Sequence, residues 1–259
     1  MIYVDPQPEP GEIDPTTDHH HRLYYSLPAA LRLAWVRRFA EGGRLLEVGC
    51  GEGEFVALAK ASGFEVTGIE PHPGRAAVTR ERHGIAVEEG LIETTALPAG
   101  AFDVVFHVDL LSHFPDPVDA LRKMSERLRP GGVVCFEVGL FGGLNPRWYA
   151  LAGRPHFPRH RWFFDEASLG AMLQRAGLGI VARRRYNLAP STAMSSALAR
   201  LLAPRKEERP SGRHGTPLAR GSLGRAYYGL HHALRYGLGR WLPAAGPATA
   251  LVTATHVGS

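Results

Sequence analysis

The run LLEVGCGEG, residues 45–53, decides the fold of this chain. A short apolar strand leads into a glycine-rich turn, and residues with good helix propensity begin directly after the turn at Glu54. Glycine lets the backbone turn tightly and approach a ligand, while the N–H groups that open the next helix point toward that ligand. The run therefore predicts a strand, a ligand-binding turn and a helix.

The acidic residues around this turn restrict the ligand. A dinucleotide fingerprint has a third glycine where Glu54 stands. Glu54, Glu47 and Glu52 would together repel a pyrophosphate, because two like charges 4 Å apart near a protein surface repel each other by about 4 kcal/mol. Glu70 ends the next predicted strand, where a carboxylate can accept hydrogen bonds from both ribose hydroxyls. A ribose ligand with positive charge and no phosphate fits these acids, and S-adenosylmethionine is such a ligand.

The composition is that of a globular protein. The chain has 259 residues, of which 44% are hydrophobic and 21% charged, so it can form one α/β domain with an appended segment. No apolar run is long enough to span a membrane, and residues 1–11 carry acids and prolines where a signal peptide is basic and then apolar. We therefore expect a cytoplasmic protein. Cys50 and Cys135 are too few for a disulfide framework and are expected to be reduced.

Positive charge is concentrated late in the chain. Residues 183–240 hold 12 Lys/Arg against 2 Asp/Glu, although the whole chain has a formal net charge of only +5. Two interpretations stay open for residues 183–240: a solvated basic surface, or a peripheral contact with an anionic membrane or substrate. No nucleic-acid partner is expected, because the tyrosines of this segment follow helical spacing and do not form an evident stacking platform.

Short apolar runs alternate with amphipathic stretches, which is typical of a doubly wound α/β fold. Helices are predicted at 27–41, 54–61 and 74–82. Two more are predicted to begin after Asp116 and after Asp165, and the first of these has a buried stripe that extends to Leu128. Strands are predicted at 44–48, 65–69, 86–88, 102–106, 133–138, 180–186 and 249–255.

These elements suggest four parts of the chain. Residues 1–40 form an N-terminal arm and helix that would cover the substrate, residues 41–186 form a Rossmann-like cofactor-binding core, and residues 248–259 form its last strand. The 187–247 segment between is too long for a structureless loop, and helical stripes at 194–202 and 227–241 predict a basic helical insertion.

Four motifs in order resemble the class I S-adenosylmethionine-dependent methyltransferases, over about residues 44–138. They are the run at 45–53, the acid motif at 68–72, the strand and loop at 102–117, and the Leu128-Arg129-Pro130-Gly131-Gly132 turn. Residues 161–164 and the Tyr3, Pro6 and Pro8 positions are similar to a bacterial small-molecule branch. The resemblance implies a seven-stranded, mostly parallel sheet with an antiparallel last strand, S-adenosylmethionine as cofactor, and methylation of a small-molecule acceptor at oxygen or carbon.

The resemblance also implies a role for each cofactor-site residue. Glu47 would face the methionyl ammonium, Glu70 would hold the ribose, and His107 would border the methionine. The glycine turn would form the floor through Gly49, Cys50, Gly51 and Gly53, and the adenine would lie near Pro71, His72, Leu91 and Ile92. The family commonly has an aspartate for the adenine amine where this chain has Leu91, so backbone groups or Glu93 are the alternatives.

Catalytic candidates follow the predicted strand ends. His113 is the first candidate for a base, because ligands of open α/β sheets collect beyond the carboxyl ends of the strands, and Glu137 ends the fifth strand in the same layer. A helix-capping role for His113 is equally open. Substrate-binding candidates are Tyr24, Tyr25, His156, His160 and Trp162, for which packing roles are alternatives. No metal site is expected at His19-His20-His21, because adjacent histidines point in different directions.

Other functions compete with methyl transfer. They are a catalytically silent module that binds S-adenosylmethionine or S-adenosylhomocysteine, a nicotinamide oxidoreductase, and a membrane-associated methyltransferase with a lipid-like acceptor.

Overall fold

The computed structural model describes residues 28–141, 160–188, 221–241 and 248–258, together with residue 194. Its seven strands form one sheet in the order β3-β2-β1-β4-β5-β7-β6. The strands are β1 (Gly43–Val48), β2 (Phe64–Glu70), β3 (Ala86–Glu89), β4 (Phe102–Val108), β5 (Leu128–Leu140), β6 (Leu178–Asn187) and β7 (Ala248–His256).

Helices cover both faces of this sheet. They are α1 (residues 28–36), α2 (Glu54–Ala61), α3 (Pro73–His83), α4 (Pro117–Glu126), α5 (Glu166–Arg175) and α6 (Gly221–His232). Apolar residues of α4 and α5 pack on one face of the central strands, while α1 and α2 pack on the other. Strands β1 to β5 pair in parallel, and β7 runs antiparallel to β5 and β6. The prediction of a doubly wound, mostly parallel sheet with an antiparallel last strand is confirmed.

The junction between α4 and β5 differs from the prediction. Helix α4 ends at Glu126, and Leu128, predicted on its buried stripe, already pairs with Phe102 of β4. The Pro130-Gly131-Gly132 stretch is an irregular part of β5 rather than a separate turn, with Gly131 at φ 78°. A Cβ at Gly132 would lie 3.0 Å from the carbonyl oxygen of Phe102, so glycine lets the two backbones approach and the strand continue.

The described part of the insertion is helical. Helix α6 continues into a π-helical turn (Ala233–Gly237) and a 3₁₀ turn (Leu238–Arg240). Because a π turn holds more residues than an α turn, it shifts the helical phase. Tyr236 is buried with Trp35, Tyr186 and Leu251. Leu238 and Trp241, on the predicted stripe, are exposed instead.

Gly239 fixes the insertion to the sheet. A Cβ there would come within 2.5 Å of the carbonyl oxygen of Asn187, at the end of β6. Asn187 pairs with Ala248, and Ala248 pairs with Leu140 at the carboxyl end of β5. The 3₁₀ turn that ends the described part of the insertion therefore lies at the edge of the sheet where the parallel strands end. None of the helices in the described ranges combines the length and apolar character that a bilayer crossing requires.

Candidate active site

The glycine loop follows β1 in a conformation that needs glycine. Gly49, Gly51 and Gly53 all have positive φ angles, of 74°, 57° and 92°. The N–H groups of Gly49 and Cys50 donate to the Ile69 carbonyl oxygen, at 2.8 and 3.0 Å. These bonds hold the loop against the end of β2. The loop runs directly into α2, so its backbone is placed to lie beneath a ligand.

Cys50 is a packing residue of this loop. Its Sγ would lie 2.6 Å from a Cβ at Gly68, so the thiol occupies the space left by that glycine on β2. Burial raises the pKa of the Cys50 thiol, and the nearby carboxylates of Glu47 and Glu70 raise it further. Burial likewise raises the pKa of the Cys135 thiol to about 12. Both thiols are free and buried, as expected for inert side chains.

Glu70 is locked in place at the end of β2. Its carboxylate accepts the Gly51 N–H at 2.9 Å through Oε2 and the His72 N–H at 3.1 Å through Oε1. The side chain of His72 caps α3, where its Nδ1 accepts the Arg75 N–H, and Pro71 is exposed beside it. Backbone donors therefore stabilise the negative charge of Glu70 next to the glycine loop.

Glu47 is the second acid of the site, and its surroundings differ. It is only 5% exposed, and its Oε2 has no hydrogen-bond partner among the described residues. Burial raises the pKa of this carboxyl well above its usual range. The positive charge of Arg32 opposes this effect, and the charges of Glu54 and Glu70 reinforce it. A buried carboxyl with one unpaired oxygen beside the glycine loop is suited to a positively charged ligand group.

His107 is packed inside the core. It has no exposed surface, and its ring is stacked on Phe136 with centroids 4.9 Å apart. Both ring nitrogens lack partners among the described residues, and burial lowers the pKa of His107 to about 3. This placement speaks against direct contact between its imidazole and a cofactor, although β4 ends one residue later, next to the site.

The loop after β3 contains the positions predicted to lie near adenine. Leu91 is half-buried, and its carbonyl oxygen accepts the N–H groups of Thr94 and Thr95. Ile92 is buried in the core. The Oε2 atom of Glu93 is buried without a partner in the described chain. Glu93 thus has an unengaged acceptor oxygen in the loop that is predicted to lie near adenine.

The loop after β4 brings Asp109 and His113 together. Asp109 has a φ of 53° and donates its N–H to the Glu137 carbonyl oxygen at 2.8 Å. Asp109 is exposed to solvent. Partial desolvation by the surrounding protein nevertheless raises the pKa of its carboxyl, Glu137 raises it further, and His113 lowers it. Asp109 is not among the residues predicted from the sequence, although its position directly after β4 is a signal for a site residue.

The segment at 160–164 packs on this loop. His160 Nδ1 lies 2.9 Å from the Ser112 hydroxyl, and the His160 ring is 4.8 Å from the ring of His113. Trp162 donates its indole N–H to the Phe114 carbonyl oxygen at 2.9 Å. Phe163 contacts His160 and completes a group of three rings. The structure therefore brings together His113, His160 and Trp162, whereas Tyr24, Tyr25, His156 and the 19–21 histidines lie outside the described residues.

Glu137 is engaged by two arginines. Its Oε2 accepts the Arg32 Nε–H at 2.8 Å, and its Oε1 lies 3.2 Å from an Arg235 guanidinium nitrogen. Burial would raise the pKa of Glu137, but these two arginines lower it below its ordinary value. Arg235 also donates to the Thr249 hydroxyl at 2.7 Å. Nothing in the local sequence identified Arg32 or Arg235, because they are remote from Glu137 in the chain.

Comparison with known proteins identifies the family of this chain. The sequence pattern of a family described as a methyltransferase domain matches residues 19–183, more than half of the chain. The chain belongs to this methyltransferase family. The prediction of an S-adenosylmethionine-dependent methyltransferase, with that cofactor, is confirmed.

One curated relative and two solved structures show the range of similar proteins. The ubiquinone biosynthesis O-methyltransferase of Bordetella avium is 30% identical over 188 residues, which cover 64% of this chain and 76% of that protein. The [4+2]-cyclase SpnF has a TM-score of 0.58 at 23% identity and covers 89% of this chain and 81% of its own. The geranyl diphosphate C-methyltransferase of Streptomyces coelicolor A3(2) has a TM-score of 0.58 at 16% identity, with coverage of 97% and 86%. The two structures show the shared fold.

The burial of His107 predicts a specific loss of stability in acid. The unfolded chain takes up a proton near the ordinary pKa of 6.5, whereas the folded protein does so only near pH 3. The stability present above pH 6.5 therefore falls as the pH drops from 6.5 toward 3. At pH 5 the loss from this group is about 2 kcal/mol.

Urea unfolding of the wild type and of His107→Leu, at pH 7.5 and pH 5, measures this loss. The wild type should lose about 2 kcal/mol more than the variant between the two pH values. Equal losses would show that His107 does not hold its neutral form in the folded protein.

Proposed function

We propose that this methyltransferase transfers the methyl group of S-adenosylmethionine to an oxygen atom of a small-molecule acceptor. The O-methyltransferase relatives support oxygen, and a carbon acceptor is the alternative. The observation that carries the proposal is the pair of buried acids beside the glycine loop, Glu47 and Glu70. A cytoplasmic location stays a prediction.

The residues around the glycine loop fit this cofactor. Glu70 is held at the end of β2, where its carboxylate can accept the ribose hydroxyls, and the unpaired Oε2 of Glu47 is suited to the methionyl ammonium. When bound, the cofactor supplies an electrophilic methyl group on a positively charged sulfur. The unengaged carboxylate oxygen of Glu93 is available for the adenine amine in place of the aspartate that Leu91 replaces.

The acceptor lies beyond β4 and β5 in this proposal. His113 receives the proton of the acceptor hydroxyl, and Asp109 is close enough to favour the imidazolium that forms. The Ser112 hydroxyl, 2.9 Å from Nδ1, fixes the orientation of the His160 ring beside His113. Orientation of the acceptor and exclusion of water supply much of the rate, since the leaving thioether is neutral. Glu137 positions α1 and the insertion rather than accepting a proton, because both its oxygens are engaged.

Substitution of Glu70 tests the cofactor site. Glu70→Gln should weaken the binding of S-adenosylhomocysteine, measured by titration calorimetry, by about 10- to 100-fold, the range for hydrogen bonds to a charged group. Glu65→Gln, at the exposed start of the same strand, is the control and should bind as the wild type does. Unchanged affinity in Glu70→Gln would refute the assignment of that carboxylate. Cofactor binding without methyl transfer to any acceptor would favour the silent module.

A membrane-associated enzyme with a lipid-like acceptor is a second candidate, and the surface of the insertion favours it. Residues 221–241 contain three arginines and no acid. Leu230, Leu238 and Trp241 are 53%, 50% and 75% exposed, with the guanidinium of Arg240 4.5 Å from the Trp241 ring. Exposed tryptophan and leucine beside arginine suit the interface of an anionic bilayer. Contact at this surface would bring the carboxyl ends of β4 and β5, where the proposal places the acceptor, toward the lipid.

Sedimentation with vesicles tests this candidate. The wild type should sediment with phosphatidylglycerol-containing vesicles and much less with pure phosphatidylcholine, and salt should release it. The Leu238→Ser/Trp241→Ser double variant should lose about tenfold in binding because two apolar side chains no longer insert. Val181→Ser, which removes an exposed apolar side chain from β6, is the control. The candidate would be wrong if the sedimented fraction were the same with anionic and neutral vesicles, or if the double variant sedimented as the wild type does.

A further inference from the structure

The two acids of the cofactor site differ in the hydrogen-bond donors that surround their carboxyl groups. Glu70 accepts two backbone N–H groups, from Gly51 and His72, and these donors compensate a carboxylate without any ligand. Glu47 is equally buried, but its Oε2 has no partner in the described chain. The free protein therefore has one compensated acid and one uncompensated acid on neighbouring strands.

The groups around Glu47 do not balance a negative charge there. Glu54 of α2 and Glu70 of β2 are both close enough to disfavour its ionisation. The thiol of Cys50 faces it with a raised pKa and carries no positive charge. On α1, Arg32 favours ionisation, but its Nε–H is donated to Glu137 at 2.8 Å. The Val56 N–H is a further favourable donor. Removal of an ion from water without a full partner is expensive, so a proton stays on such a carboxyl.

We propose that Glu47 binds the methionyl ammonium of the cofactor as a carboxylate that has lost its own proton, so that cofactor binding releases one proton to the solvent. This inference rests on the proposed function, which places the ammonium at Glu47. The O–H bond of the Glu47 carboxylic acid breaks, the proton passes to water or buffer, and the carboxylate then pairs with the ammonium. The direction of the pKa shift of Glu47 agrees with this exchange.

The exchange makes Glu47 a specificity-determining residue. A ligand without a positive group cannot compensate the carboxylate, so it must bind to the protonated form and gain no ion pair. A phosphate at the same place would meet carboxyl groups on three elements. The affinity for an ammonium ligand should fall as the pH is lowered, by at most about tenfold per pH unit, because protons compete with the ligand for Glu47.

Calorimetry with two ligands tests the proposal. S-Adenosylhomocysteine carries the ammonium, whereas 5′-methylthioadenosine keeps the nucleoside and lacks the amino-acid part. Titrations at pH 7 in buffers of different ionisation enthalpy give the number of protons released. We expect proton release with S-adenosylhomocysteine, of at most one proton per ligand, and close to none with 5′-methylthioadenosine.

Two variants assign the proton. Glu47→Gln should bind S-adenosylhomocysteine more weakly, without proton release and with an affinity that hardly changes between pH 6 and pH 7. Glu65→Gln, at the exposed start of β2, is the control and should release the proton as the wild type does. Tight binding of S-adenosylhomocysteine without proton release, or equal release with both ligands, would overturn this inference and leave the proposed function standing. Failure of the wild type to bind S-adenosylhomocysteine at all would overturn the proposed function itself.

Discussion

The site depends on the placement of two carboxyl groups at the carboxyl ends of adjacent parallel strands. β1 and β2 pair in register, so Glu47 lies opposite Gly68, and Glu70 follows two residues later on the other side of the glycine loop. Glycine at position 68 leaves room for the Cys50 thiol, which lets the loop return close to β2. The acidic lining then follows from backbone geometry, and the proposed function requires it to favour a cationic nucleoside over a phosphorylated one.

A buried ion-pair network joins α1, β5 and the π-helical turn at the carboxyl end of the parallel strands. Arg32 from α1 and Arg235 from the π-helical turn meet on Glu137, and the Glu137 carbonyl oxygen accepts the Asp109 N–H of the loop after β4. Removal of one member would leave a buried charge without its partner, an arrangement that typically costs about 3–5 kcal/mol. The network therefore links α1, the π-helical turn and the loop after β4 to β5.

Local patterns in the sequence predicted the sheet, its connections and the glycine loop, since strand and helix periodicity and glycine turns are short-range signals. They failed where tertiary context decides. Leu128 fits a helical stripe, yet pairing with Phe102 draws it into β5. The stripe predicted within 227–241 does not face the core: Tyr236 is buried, whereas Leu230 before the π turn and Trp241 after it are exposed. The partners of Glu137 are 105 and 98 residues away in the chain, a separation that no local pattern reveals.

Competition between ligands tests the central claim most directly. Labelled S-adenosylmethionine bound to the full chain is challenged with S-adenosylhomocysteine and, separately, with NAD. The acidic lining predicts displacement by S-adenosylhomocysteine and none by a large excess of NAD. Displacement by NAD at concentrations similar to those of S-adenosylhomocysteine would contradict the account, because the carboxyl groups around the glycine loop would then not exclude a diphosphate.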